Sequence, residues 1–278
     1  MNNLILRTLT GIVFVAIMVG GILYSPLTSA LLFFVITLLS VWEFTGLVNT
    51  CEDVQVNRFI TTMAAGCLFL GFFGVAAGIA GSMPLFVPWL LSVIYLLTSE
   101  LYLRREKPLN NWAFSLMAQI YIALPFSLTA LLPLSQESDV LPTTGQLLLL
   151  FIFVFLWCSD TGAYCCGSLF GRHKLFPSVS PGKTWEGSIG GGVLTVAASQ
   201  IIAHYEPALS NLQWAGFALV VVIFGTWGDL VESLLKRRLG VKDSGHILPG
   251  HGGMLDRFDS SLLAIPAVVA YLSVLGVL

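Results

Sequence analysis

Charge is what this 278-residue chain has least of. Asp, Glu, Lys and Arg make up 10% of it, against 56% hydrophobic residues, so the sequence lacks the polar surface of a water-soluble globule. No hydrophilic stretch is long enough for a separate soluble domain. Cysteine is scarce as well: Cys51, Cys67, Cys158, Cys165 and Cys166 form no CxxC pair and no Cys/His zinc spacing, and neither disulfides nor zinc are indicated. Barrel-type alternation is missing from the apolar runs, which excludes a membrane β-barrel. No internal repeat stands out. Arg7 followed by an apolar run to Tyr24 has the outline of a signal peptide, but the run is long for one and a second apolar run follows almost at once.

What is present is a succession of apolar runs near the ~20 residues that an α-helix needs to cross the hydrocarbon, and mean hydropathy is +0.87. The pattern predicts an all-α polytopic membrane protein with about nine spans, at 4–24, 27–48, 59–80, 84–103, 112–134, 146–169, 188–203, 214–235 and 261–278. Placing the N-terminus in the cytoplasm puts all 13 Lys and Arg residues on that side, while the opposite loops hold Glu137, Asp139 and Glu206. That asymmetry is what the positive-inside rule requires, and it puts the C-terminus on the far side. The chain reads as a single integral membrane domain, 1–278. Residues 1–135 would be scaffold helices, and 146–278 would carry the active site.

The exception to the poverty of charge is the stretch 229–259, whose 31 positions hold 10 of the 28 charged residues. An aspartate at a helix centre costs about 2.5–3.5 kcal/mol on insertion, so each such residue needs a reason. Glu43 and Glu100 sit near cytoplasmic span ends, where snorkelling or pairing (Glu100 with Arg104 at i+4) accounts for them. Asp160 and Asp229 lie deeper. Asp229, Glu232, Ser233 and Lys236 recur at i, i+3, i+4 and i+7, which places them on one helical face. That face suits a salt-bridge ladder or a hydrophilic recess with cations at its rim. Asp256 and Asp259, at i and i+3, would begin the last span as first-turn caps. The glycines of His251-Gly252-Gly253 just upstream would let the backbone approach a ligand closely. Four carboxylates converging at one depth repel unless cations join them, which suggests Mg²⁺ on Asp160, Asp229, Asp256 and Asp259.

A second polar loop, S-P-G-K-T-W-E-G at 180–187, contains the G-K-T of a phosphate loop but not its upstream glycine, and no strand is expected before it. Ser180, Lys183 and Thr184 still offer donors suited to phosphate, and Glu186 would orient the loop.

The run Ser233, Lys236-Arg237, Lys242-Asp243, Gly245, Leu248-Pro249, His251-Gly252-Gly253, Asp256-Arg257 and Asp259 resembles the signature of phosphatidate cytidylyltransferases. The 180–187 loop is similar to that family's other polar loop, with Gly182 standing where a larger polar residue is common. The resemblance implies transfer of a cytidylyl group from CTP to phosphatidic acid, giving CDP-diacylglycerol and pyrophosphate for phospholipid synthesis. It implies Mg²⁺, with room for a second, monovalent cation, and a homodimer in the inner (plasma) membrane whose active site faces the cytoplasm. Membrane lipids, not nucleic acid, are its surroundings. Asp229, Asp256 and Lys242 would be catalytic. Ser180, Lys183, Thr184, Ser233, Lys236, Arg237, Asp243, His251 and Arg257 would bind substrate. The lipid phosphate, with a second pKa of about 6 by analogy with phosphorylated side chains, demands no dedicated general base. A CTP-dependent polyprenol or dolichol-type lipid kinase is the alternative enzyme, releasing CDP instead of pyrophosphate. An ion-coupled transporter ranks below both, because the deep acids and the polar loops gather on one side.

Overall fold

The computed structural model describes residues 3–134, 142–245 and 252–278. His251, assigned to substrate binding, lies outside the described residues, as do Leu248 and Pro249 of the signature.

Local chemistry sets the helix boundaries. α1 (Asn3–Tyr24) gives way to α2 (Pro26–Val48) at Ser25, where a reciprocal cap joins Thr28 N–H to Ser25 Oγ at 3.1 Å and Ser25 N–H to Thr28 Oγ1 at 3.0 Å. Pro26 then sits at the first helical position, where its missing N–H costs nothing. Asn57 caps α3 (Arg58–Ala76). A short 3₁₀ turn, Met83–Phe86, leads into α4 (Val87–Leu103), which stops where Arg104 turns left-handed at φ 49°. α5 (Pro108–Met117) widens into a π-helical turn over Ala118–Ala123 before α6 (Leu124–Leu128) and α7 (Leu131–Leu134). Pro125 follows that turn and has no N–H for the preceding carbonyls, a common cause of such bulges. Then come α8 (Thr144–Phe170), a hairpin of β1 (Lys174–Phe176) and β2 (Ser180–Thr184), α9 (Trp185–Tyr205), α10 (Asn211–Arg238), the single turn α11 (Leu255–Phe258) and α12 (Ser261–Val274).

Among the described residues, seven helical stretches are long and apolar enough to span a membrane: α2, α3, Met83–Leu103, Pro108–Leu134, α8, α10 and Leu255–Val274. The all-helical, polytopic expectation holds. α9 has the length, but Gly, Ser and Gln dilute its hydropathy. Among the described residues the departure from all-α is the antiparallel β1–β2 hairpin, which pairs Lys174 with Thr184 and Phe176 with Ser180.

The chain forms two compact units, Met1–Leu147 with Asp243–Phe258, and Leu148–Lys242 with Asp259–Leu278. In the first, α2 packs on α3 over a core in which Phe258 meets Phe126 edge-on at 5.5 Å. Buried Glu100 pairs with Arg105 at 2.8 Å and accepts a bond from Asn111 Nδ2 at 3.0 Å. The expected Glu100–Arg104 pair is therefore corrected to Arg105. Arg104 ends the helix with a left-handed turn, so i+4 no longer lies over Glu100.

In the second unit α10 packs on α9 and α12, around Trp214, Phe155 and Phe217. α8 and α9 cross almost backbone to backbone. A Cβ added at Gly162 would lie 2.9 Å from Gly191 Cα, one at Gly187 would lie 2.8 Å from the Ala163 carbonyl, and one at Gly191 would lie 2.5 Å from the Ser159 carbonyl. Gly187 and Gly191 form a G-x-x-x-G stripe of the kind that lets membrane helices approach closely.

Candidate active site

That close crossing opens at one end into a cavity of about 430 Å³. Asp160 and Ser159 of α8 line it, together with Lys183 and Thr184 of β2, Ser188 of α9 and Thr226 of α10. The hairpin is what brings the lysine here. Its base is fastened by Glu186, which accepts from the backbone N–H groups of Arg172 and His173 at 3.2 Å and pairs with His173 Nδ1 at 2.6 Å. Glu186 thus occupies the loop-orienting place expected of it. Its own backbone N–H and the His173 ring lead the bonds that hold its carboxyl down at about 2, well below the ordinary 4.5. Thr184 is buried and caps α9 by accepting the Gly187 N–H at 3.1 Å, so part of its hydrogen-bonding capacity goes to the helix.

Lys183 Nζ is ion-paired with an Asp229 carboxylate oxygen, and each side chain is about a quarter exposed (25%). Asp160 feels the charges of both Lys183 and Asp229, and Asp259 those of Asp229, Lys236 and Asp160. Along α10 the polar face carries side-chain pairs of the ladder kind, one of its two readings: Ser233 Oγ donates to Asp229 Oδ1 at 3.1 Å, and Lys236 pairs with fully buried Glu232 at 3.1 Å. The second unit therefore assembles Asp160, Lys183, Thr184, Asp229, Ser233, Lys236 and Asp259. Ser180 sits at the start of β2 and does not line the cavity. Arg237, Lys242, Asp243 and Arg257 are exposed.

Asp256 belongs to the first unit. Its Oδ2 accepts from Ser244 N–H and Gly253 N–H, both at 2.8 Å. The continuous helix expected to present Asp256 and Asp259 from one face is interrupted, because α11 ends at Phe258 and α12 starts at Ser261. Asp259 Oδ1 instead accepts from the adjacent Ser260 N–H at 2.6 Å. Glu43 is a residue whose part the sequence did not show. Far from snorkelling, it is buried and accepts from Ser244 Oγ, Met254 N–H and Leu255 N–H.

Helices long and apolar enough to span a membrane, with a cavity lined by Asp160, Lys183 and several hydroxyl groups, define a multi-pass membrane protein with a polar recess. The chain belongs to the cytidylyltransferase family, whose model matches residues 5–275. It is 32% identical over 275 residues to the phosphatidate cytidylyltransferase of Haemophilus influenzae, covering 94% of this chain and 95% of the relative. The Staphylococcus haemolyticus protein of the same name is 34% identical over 263 residues with the same coverage. That of Staphylococcus aureus strain COL is 42% identical over 156 residues, 55% of this chain and 56% of the relative.

Proposed function

We propose that this protein transfers the cytidylyl group of CTP to phosphatidic acid, forming CDP-diacylglycerol and releasing pyrophosphate. The observation that carries the reading is the Lys183–Asp229 pair, whose lysine lines a hydroxyl-rich cavity together with Asp160. A water-soluble polyanion and a lipid phosphate must meet where charge is tolerated next to apolar helices, and this cavity has that character.

The reaction is an in-line attack of a lipid phosphate oxygen on the α-phosphorus of CTP. The new bond is P–O to the lipid phosphate, the broken bond is that to pyrophosphate, and no net proton transfer is required. Catalysis is then positioning and charge neutralisation. Arriving phosphates compete with Asp229 for the Lys183 ammonium, and Ser233 and Lys236 extend the polar face along α10. Asp256 and Lys242 are proposed catalytic residues, and Ser180, Thr184, Arg237, Asp243, His251 and Arg257 proposed substrate contacts, from the family signature.

Among the described residues no three of His, Cys, Asp and Glu converge to cage a metal by themselves. Mg²⁺ usually keeps waters and takes one or two carboxylates plus substrate phosphates, and the hard oxygens of Asp160 and Asp229, with Asp259 close in charge, fit that demand. Such an ion would offset phosphate charge and favour pyrophosphate as leaving group. Also proposed are nine crossings, with α1 and α9 added to the seven, an N-terminus and active site on the cytoplasmic side of the inner membrane, and a homodimer.

Purified protein given CTP, phosphatidic acid and Mg²⁺ should yield pyrophosphate and CDP-diacylglycerol in equal amounts. Release of CDP with a phosphorylated lipid alcohol would overturn the reading.

A further inference from the structure

Glu43 stands near the C-terminal end of α2, 7% exposed, and no step above uses it. Its carboxylate reaches a stretch of chain 201 to 212 positions later in the sequence. Oε1 accepts from Ser244 Oγ and from Leu255 N–H at 3.1 Å, and Oε2 accepts from Met254 N–H at 2.9 Å. All three bonds are accepted, which suits an ionised carboxylate, a group with no donor of its own. Charge-assisted bonds of this kind are about twice as strong as neutral ones.

The glycines of the loop show how closely the two chains approach. A Cβ added at Gly245 would lie 2.6 Å from Glu43 Oε2, and one at Gly253 would fall on Glu43 Oε1. Neither glycine is at positive φ, so it is close neighbours, not backbone conformation, that require glycine there: Glu43 at Gly245, and Glu43 together with Ser244 Oγ at Gly253. Asp256 completes the fastening by joining Ser244 N–H to Gly253 N–H. Two carboxylates thus staple the two ends of the signature loop to each other, and one of them ties both ends to α2.

We propose that Glu43 is a positioning residue for the signature loop, fixing where Asp243, Asp256 and Arg257 stand during cytidylyl transfer. The kinetic consequence rests on the reaction proposed above; the tether itself does not. The test uses full-length protein in detergent and compares wild type with Glu43→Gln, Glu43→Ala, Gly253→Ala and the Glu43→Ala/Gly253→Ala pair. Glutamine keeps the size of Glu43 but turns one acceptor into a donor facing a donor. Turnover in Glu43→Gln should fall about 10²-fold, as for small misplacements of reacting groups. KM for CTP should shift by less than about threefold, the signature of an interaction lost in the transition state. Amide exchange should accelerate at Met254 and Leu255 and stay unchanged in α3 and α10. Gly253→Ala should be harmful alone, yet Glu43→Ala should relieve the part of its clash that falls on Glu43, leaving Ser244 Oγ to rotate away, so that the double variant loses less than the two separate losses combined.

Glu43→Gln turnover within about twofold of wild type, fully additive losses, or exchange that rises equally throughout the first unit would each overturn the proposal. If the Glu43 variants do not fold, Ser244→Ala retains Glu43 and removes one bond; unaltered exchange at Leu255 and turnover would then count against it. If wild type makes no CDP-lipid, the reaction reading fails, and local exchange in Glu43→Gln still decides the tether.

Discussion

The Lys183 ammonium rests against the Asp229 carboxylate, with most of both side chains withdrawn from water. One residue comes from the end of a hairpin and the other from the middle of α10, and Asp160 sees the charge of both. Without the lysine, Asp160 and Asp229 would repel each other with the ion pair of Asp229 gone. Lys183→Met is therefore expected to cost about 1–3 kcal/mol of stability, since it strands a partly buried charge. It should also lower turnover by at least about 10²-fold, as removal of a charge-stabilising donor does. The swapped Lys183→Asp/Asp229→Lys protein restores the pair but exchanges the two chemical roles, and it should stay inactive. Pyrophosphate release and thermal unfolding in detergent measure both effects; a swap that recovers turnover would make the pair purely structural.

Asp256 gives two substitutions with different outcomes. A single oxygen, Oδ2, accepts both backbone N–H groups, so Asp256→Asn can keep the loop closed while removing the charge. Asp256→Ala leaves two amides without that acceptor, at about 1.5–3 kcal/mol for each charge-assisted bond. Turnover should collapse in both variants, but exchange at Ser244 and Gly253 should rise only in alanine. Near-normal Asp256→Asn turnover with Mg²⁺ would remove the residue from the catalytic set.

The spans were legible because crossing a bilayer demands about 20 apolar residues whatever the fold, and the i, i+3, i+4, i+7 face of α10 was legible because it is local. What the sequence concealed is non-local or conformational. Glu43 finds its partners more than 200 positions away, and no periodicity reports such a distance. The β1–β2 hairpin is too short to alternate, and Pro181 and Gly182 disguise its second strand. Asp256 and Asp259 look like neighbours on one helix until the break at Asp259–Ser260 assigns them to different units.

At the base of the hairpin, Glu186 offers a pH test. Its carboxyl is held at about 2 in the folded protein against an ordinary 4.5. A depressed folded value means that the unfolded chain binds protons first on acidification. The contribution is thus fully present above 4.5 and lost as pH falls toward 2. Between pH 6 and 8 this group should give no pH dependence. A carboxyl ¹³C titration of Glu186 should have its midpoint near 2 in wild type and rise in His173→Ala. A wild-type midpoint near 4.5 would show that the fastening does not form.

The crossing of α8 and α9 is the last point of leverage, because the cavity exists only while those helices stay in near contact. A methyl at Gly191 would press on the Ser159 carbonyl at 2.5 Å, and that backbone atom cannot rotate away. Gly192, the next residue, points elsewhere; a Cβ there meets Val222 Cγ1 at an ordinary 3.5 Å. Overpacking a tight contact costs about 1–3 kcal/mol, whereas Gly to Ala in an unobstructed helix gains up to about 1 kcal/mol from propensity. Gly191→Ala should therefore lower the unfolding temperature in detergent and, by pushing α9 off α8, move Asp160 relative to Lys183 and reduce turnover. Gly192→Ala should leave both unchanged or raise stability slightly. Equal tolerance at the two positions would mean that the helices are not in backbone contact, and the cavity would then owe its shape to the hairpin alone.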